Sequence, residues 1–261
     1  MPESDDPYAP MADLYDLAYG DYIEDIDFYL NLARATGEPI LELGAGTGRV
    51  AFPLAKAGHR VVGIDASAAM LAKAGAKLKA ARLPGRHLSF LEADMTDFSL
   101  DERFALAFVA ASTFQHLTTT EAQRACIRCV AAHLQPGGTF ALSVRSPASV
   151  SWDDTGPNPL LLDWTRRDQS SGDIVMKFIA SEANPAAMTR RLTYVYDRIH
   201  DGAVSRTIFE TELRYSTQAE IEALLQEARL RVTHVYGDYD LSPVGAGTEN
   251  LVFVARAERA T

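Results

Sequence analysis

The chain of 261 residues predicts an α/β fold, a parallel sheet covered by helices, with an inserted antiparallel meander and a terminal antiparallel hairpin. Two observations carry this. Short apolar runs alternate with helix-period segments from residue 40 to 144, the pattern of a parallel sheet covered on both faces. After residue 147 the period changes to two, as half-solvated antiparallel strands require.

Taken in order, "DYIEDIDFYLNLARA" (21–35) spaces Ile23, Ile26, Tyr29 and Leu30 as a helix. Strands are expected at 40–43, 60–64, 88–92, 104–110 and 138–144, and helices at 48–57, 67–81 and 121–134. "LQPGG", Leu134 to Gly138, supplies a turn between the last helix and strand of the series. "SPASVSWDDTGPNPLLLDW" then reads as loop, followed by strands at 173–181, 188–199 and 204–215. In the third of these, Phe209, Leu213 and Tyr215 alternate with Glu210, Glu212 and Arg214. "TQAEIEALLQEARL" opens on a capping box, Thr217 and Glu220, and places Ile221, Leu224, Leu225 and Ala228 on one stripe. Strands at 231–236 and 250–256 form the closing hairpin. The resulting regions are a leader (1–36), a core (37–146), an insertion (147–215) and a C-terminal helix with hairpin (216–261).

Composition excludes several classes of function. There are 35 acidic against 25 basic residues, a formal charge of -10, and no Lys/Arg-rich run. Phosphate neutralisation needs the opposite field, so no nucleic-acid partner is expected, and a neutral or cationic small molecule suits the surface better. The N-terminus "MPESDDPYAP" is acidic where a signal peptide is basic and then apolar, and the longest apolar run, Phe104 to Ala111, is too short for a bilayer. A cytoplasmic protein without membrane partners is expected. Cys126 and Cys129 form a C-x-x-C inside a helical pattern with no second pair, so they read as packing thiols. No His/Asp/Glu set has metal-ligand spacing, so no metal is expected. There is no G-x-S-x-G elbow for a hydrolase.

The chemistry concentrates in "ILELGAGTGRV", 40–50, where a buried strand runs into Gly44, Gly46 and Gly48. A strand, a glycine-rich turn and a helix let a ligand approach the backbone and meet unpaired helix N–H groups. The dinucleotide fingerprint is G-x-G-x-x-G, and the position of its third glycine is Arg49 here. A nicotinamide ligand is thereby disfavoured.

"ELGAGTG" (42–48) resembles motif I of the class I S-adenosylmethionine-dependent methyltransferases, and three further segments match that family in order over about the first 150 residues. The resemblance implies the family's Rossmann-like seven-stranded methyltransferase sheet and S-adenosylmethionine as cofactor, with S-adenosylhomocysteine as product. In "VVGIDASAAML" (61–71), Asp65 would hold both ribose hydroxyls and Met70 would pack near the adenine. In "FLEADMTDF" (90–98), Asp94 would accept from the adenine amino group and Met95 would flank the ring. "ASTFQHL" faces the methyl donor in relatives, which brings in Ser112. Gly44, Ala45, Gly46 and Gly48 would lie along the methionine portion, Glu42 would orient their turn or reach the cofactor's amino group, and Ala66 joins the cofactor set. "ADLYDLAYGDY" (12–22) looks like the Tyr-rich leader of small-molecule methyltransferases, where Tyr15 and Tyr19 close over the cofactor. Those two sit at i and i+4; an aromatic stripe pinning the leader to the sheet is the alternative.

A base is needed only if the acceptor is a hydroxyl or a protonated amine. His116, just beyond a strand's carboxyl end, is the catalytic candidate; a hydrogen bond to a loop carbonyl is its alternative role. His59 and His133 fall at the opposite edge of their units and read as structural. Tyr22, Trp152, Trp164, Tyr194, Tyr196 and Arg198 are candidates to line the acceptor pocket, and the insertion is a candidate homo-oligomer interface. The expected function is transfer of a methyl group to N, O or C of a small bacterial metabolite. Another enzyme of the same fold, an aminopropyltransferase or nicotinamide-dependent oxidoreductase, and a catalytically silent cofactor-binding protein remain alternatives.

Overall fold

The structure is a computed structural model that describes residues 6–81, 83, 87–153, 156 and 158–258. It contains a seven-stranded sheet in the order β10-β11-β5-β4-β1-β2-β3: β1 (Ile40–Leu43), β2 (Val61–Asp65), β3 (Leu88–Glu92), β4 (Phe104–Val109) and β5 (Leu134–Arg145) are parallel, and β11 (Asn250–Ala257) runs antiparallel between β5 and β10 (Leu230–Tyr236). The expected terminal hairpin is therefore part of the main sheet.

Alternation along the central strands shows how both faces are covered. Ile40, Leu106 and Phe108 pack with Tyr29 and Ala33 of α2 (Ile26–Thr36) and with Phe52 and Leu54 of α3 (Ala51–Lys56). Leu41, Leu43, Ala107 and Val109 point the other way, to Ile127 and Val130 of α5 (Thr120–His133) and to Ile221, Leu224 and Leu225 of α6 (Gln218–Glu227). Every residue of β1 and β4 is buried, so no polar face exists to produce a period-two pattern in sequence. The capping box of α6 is formed, with the Thr217 N–H donating to Glu220 Oε2 at 2.7 Å and the Glu220 N–H to Thr217 Oγ1 at 3.3 Å.

Three local expectations are corrected. The helix placed at 21–35 is confined to α2 and is preceded by a 3-10 turn at Ala9–Met11 and the five-residue α1 (Tyr15–Tyr19). "LQPGG" is not a free turn: β5 starts at Leu134, which pairs with Phe104 before a register irregularity, so the Pro-Gly-Gly bend is absorbed as a bulge. The insertion has a fourth strand, β6 (Leu161–Arg167), inside the segment read as loop. It is an edge strand with most of its residues exposed, so burial imposes no alternation on its sequence. With β7 (Ile174–Asn184), β8 (Thr189–His200) and β9 (Ala203–Arg214) it forms a separate antiparallel sheet in the order β6-β7-β8-β9.

The leader lies between the two sheets. Met11, Leu14 and Ala18 bury against Val175, Tyr196 and Phe209 of the inserted sheet. Asp6 accepts from Ser67 Oγ at 2.8 Å and from the Ala69 N–H at 3.1 Å at the start of α4 (Ala68–Ala81), and Asp16 accepts from Thr47 Oγ1 at 2.6 Å. Among the described residues no helix is long and apolar enough to cross a membrane.

Candidate active site

A cavity of about 1150 Å³ opens at the carboxyl ends of β1, β2 and β4, roofed by the leader and by the inserted sheet. This is where open α/β sheets bind ligands. Its floor is the glycine turn. Gly44 adopts φ +63°, and a Cβ there would come within 2.3 Å of the Thr113 methyl group, so only backbone fits between the turn and the end of β4. Ala111 and Ser112, which follow β4, both take left-handed conformations (φ 50° and 64°) and line the cavity. Two adjacent non-glycine residues held this way store roughly 1–3 kcal/mol each, a pattern typical of ligand-gripping segments.

Asp65 sits at the end of β2 with one oxygen accepting from the Gly46 N–H (2.7 Å) and the other from the Ser67 N–H (2.8 Å). It thus fastens the glycine turn to the start of α4. Burial holds its carboxyl above the ordinary range against the pull of those two N–H groups. Asp94 accepts from both the N–H (2.7 Å) and the hydroxyl (2.8 Å) of Thr96 and still lines the cavity, so its turn role and an open cavity face coexist. Ala66, Met70, Met95, Tyr15, Tyr19 and Tyr22 line it too, and the Tyr15 and Tyr19 rings lie 5.1 Å apart as their helical spacing predicts.

His116 ends the 3-10 turn Thr113–His116, and its Nδ1 meets Tyr8 Oη at 2.9 Å and Thr211 Oγ1 at 3.0 Å. Burial pushes this imidazole down to about 4 and the Tyr8 phenol up to about 12, so both are neutral at pH 7. Neither Tyr8 nor Thr211 was visible in sequence as a partner; they converge on His116 from the leader and from the inserted sheet.

Arg49 was equally illegible beyond its disruption of the dinucleotide spacing. Its guanidinium makes a bidentate pair with fully buried Asp25, both contacts 2.6 Å, and donates to the Tyr22 carbonyl at 2.9 Å. This pair ties the start of α2 to the glycine turn, and Arg49 also lines the cavity.

Several candidates stand elsewhere. Gly48 is directed into packing, where a Cβ would meet Phe52 and Phe90 at 2.8–2.9 Å, and Ala45 is buried below the turn. Glu42 lies beneath the cavity, 3 % exposed, with Oε2 unpartnered among the described residues, and burial raises its carboxyl to about 8. Trp152 packs edge-on against Tyr215, with ring centroids 5.4 Å apart, and donates Nε1 to the Pro147 carbonyl. Trp164 and Tyr196 are packed in the cluster under the leader. Arg198 bridges Asp168 (2.8 Å) and Asp173 (3.0 Å) beside a separate cavity of about 420 Å³. Only Tyr194 of the candidates from the insertion lines the main cavity.

His133 holds structure: its Nε2 accepts from the Leu100 N–H at 3.0 Å and its Nδ1 donates to the Cys129 carbonyl at 2.7 Å. Cys126 is buried in α5 with its thiol pushed far up by burial, and Cys129 Sγ lies 3.2 Å from the Thr96 carbonyl. Neither thiol faces the cavity.

The neutral Glu42 carboxyl has a measurable consequence. An acid raised from 4.5 to about 8 contributes stability that is complete below pH 4.5 and lost as pH rises through 8, roughly 3 kcal/mol of loss by pH 7. Glu42→Gln is expected to remove that loss, so the difference in urea unfolding free energy between variant and wild type should grow from pH 5 to pH 8. A constant difference would mean that the carboxyl ionises normally.

The residues fit the implied cofactor: two cavity-facing glycines leave backbone exposed, an acid stands at the end of β2, and a second acid and two methionines follow. Comparison with known proteins agrees. Residues 40–138 match the model of a family described as a methyltransferase domain. The chain is 30% identical over 228 residues to the cypemycin N-terminal methyltransferase of a Streptomyces species, covering 84% of this chain and 82% of that protein. Its fold is similar to the CcbJ methyltransferase of Streptomyces caelestis (TM-score 0.84, 26% identity, 98% of this chain and 100% of the other). It is also similar to the S-adenosylmethionine-bound amino pentose methyltransferase CalS10 of Micromonospora echinaspora (TM-score 0.70, 22% identity, 94% and 97%). With the motifs in register, the sheet order of that fold and a relative aligned along most of its length, this chain belongs to the class I S-adenosylmethionine-dependent methyltransferases.

Proposed function

We propose that the protein N-methylates an amine of a small bacterial natural product. The observation that carries this is the neutrality of the groups at His116. An alcohol must lose its proton as it attacks, which calls for a base poised near the operating pH. An imidazole lowered to about 4 by burial, bonded to a phenol raised to about 12, is a weak base. A free amine attacks with its lone pair and needs no such base. Relatives support the reading through their names, an N-terminal methyltransferase and an amino pentose methyltransferase.

In this mechanism Asp65, Asp94, Met70, Met95 and the Gly44–Gly46 backbone hold the cofactor, Tyr15 and Tyr19 cover it, and Arg49 clamps the leader over the turn. Bound S-adenosylmethionine supplies an activated methyl group on a sulfonium. The protein's contribution is alignment and exclusion of water. His116, held by Tyr8 and Thr211, accepts a hydrogen bond from the acceptor N–H and aims the lone pair. Tyr22 and Tyr194 line the acceptor's path.

Mass spectrometry of a panel of primary and secondary amines and matched alcohols tests this. Methylation of amines is expected, with kcat/KM rising with pH up to the acceptor's own pKa and showing no inflection from His116 above pH 5. His116→Asn, which keeps a hydrogen-bond acceptor, should retain at least a tenth of kcat. Methylation of the alcohols alone, or a loss of 1000-fold in His116→Asn, would instead assign His116 as an obligatory base.

The outer face of the inserted sheet supports self-association through the insertion. Leu162, Phe178, Val195 and Ile208 are aligned across its four strands; Leu162 and Ile208 are each more than half exposed, whereas Phe178 is half-buried and Val195 buried between them. Light scattering should find a dimer or larger assembly that Ile208→Lys disrupts; a monomeric wild type would refute it.

A further inference from the structure

The far end of the cavity, away from the glycine turn, contains a cation with no counter-ion among the described residues. Alternation along β8 places Arg190, Leu192 and Tyr194 on the face that looks into the cavity. The Arg190 guanidinium donates to the Ser151 carbonyl (2.6 Å) and to Ser181 Oγ (2.5 Å), and the residue is only 8 % exposed. Both partners are neutral, and no carboxylate among the described residues is within ion-pair distance of it.

The other cations enclosed at this cavity are treated differently. Arg49 is paired with Asp25 at 2.6 Å, and Lys177 with Asp163 at 2.8 Å. Enclosing a guanidinium without an opposite charge costs free energy that neutral acceptors only partly offset, and folding alone gains nothing from it. A second cation, Arg145, lines the same cavity and is held only at 3.4 Å by Glu249, an exposed carboxylate of the same wall. The charges of both Arg145 and Arg190 act on Tyr215, whose phenol burial raises and these two cations pull back. The wall between is apolar, formed by Leu192 and Leu213.

We infer that Arg190, assisted by Arg145, is an anion subsite, and that the acceptor carries a carboxylate or phosphate at the end opposite the atom that is methylated. A planar fork with free N–H groups matches either oxyanion. The inference rests on the reading of this cavity as the acceptor site. The net charge of -10 describes the whole surface and Arg190 one end of one cavity, so an acidic acceptor is compatible with an acidic protein.

The probes are benzoate, phenyl phosphate and benzyl alcohol, titrated into wild type, Arg190→Gln and Arg190→Lys with and without S-adenosylhomocysteine. Binding is followed by tryptophan fluorescence, since Trp152 packs on Tyr215. At least one anion is expected to bind wild type, at least tenfold more weakly to Arg190→Gln and within about fivefold to Arg190→Lys. Benzyl alcohol should be indifferent to either change. Preference for benzoate identifies a carboxylate acceptor, preference for phenyl phosphate a phosphorylated one. In the absence of ligand, Arg190→Gln should melt within a few degrees of wild type, because two hydrogen bonds to neutral partners are lost while the burial cost of an unpaired guanidinium is relieved. The inference is overturned if neither anion binds wild type, if Arg190→Gln binds both unchanged, or if Arg190→Gln alone melts well below wild type, the mark of a structural strut. Failure of wild type to bind S-adenosylhomocysteine would strike the methyltransferase reading of the cavity, whereas the titrations without it still decide Arg190.

Discussion

Replacing Asp25 with alanine is expected to lower the free energy of unfolding by about 3–5 kcal/mol, on the order of 10 °C in melting temperature for a chain of this size. Asp25 is completely buried and meets Arg49 through two contacts of 2.6 Å. Its removal leaves the guanidinium, with 9 % of its side-chain surface exposed, without a carboxylate. The Tyr22 carbonyl and the Tyr22 ring, 4.9 Å from the Arg49 guanidinium carbon, offset little of that charge. The double replacement Asp25→Leu with Arg49→Met should recover most of the stability, because no charge is then stranded. It should not recover cofactor affinity, since Arg49 also joins the leader to the glycine turn at the cavity wall. Calorimetry on the three variants separates the two roles. If Asp25→Ala melts with wild type, the pair is not a stabilising contact; if the double variant binds S-adenosylhomocysteine like wild type, the clamp is irrelevant to the cofactor.

Asp65→Ala is expected to reduce affinity for both S-adenosylmethionine and S-adenosylhomocysteine by at least 100-fold. Two charge-assisted bonds to a ribose diol are worth roughly 1.5–3 kcal/mol each, so losing them accounts for that factor. The same carboxylate accepts from the Gly46 and Ser67 N–H groups, so the variant also frees the turn that forms the cavity floor. Asp65→Asn separates these contributions: one amide oxygen can still accept from the turn, while the charge is gone. It should bind more tightly than the alanine variant and less tightly than wild type. Micromolar binding by Asp65→Ala would remove Asp65 from the cofactor site and leave it as a fastener of the turn.

Among the candidate residues that line the cavity as read, Gly44, Gly46, Asp65, Met70, Asp94 and Met95 lie in the glycine turn or in the short segments that follow the ends of β2 and β3. A strand end is visible in local sequence, and in a parallel sheet the strand ends carry the site. The insertion shows where such local reading fails. Tyr194, Tyr196 and Arg198 do share one face of β8, but the cavity sits toward the other end of that strand and takes Arg190, Leu192 and Tyr194. Periodicity fixes which face a side chain joins; the position along the strand that meets the core depends on how the two sheets dock. β6 escaped because an exposed edge strand has no buried face to impose a pattern.

From the sequence alone follow the doubly covered sheet, the terminal hairpin, the glycine turn and the family, because each rests on contacts between residues close in the chain or on burial that forces a period. The tertiary structure alone decided that Arg49 pairs with Asp25 across 24 positions, that Tyr8 and Thr211 meet on His116 across 108 and 95, and that Arg190 is enclosed on neutral partners with no carboxylate beside it among the described residues. Such contacts depend on the docking of leader, core and insertion, and local composition does not encode which charged or polar groups that docking brings together.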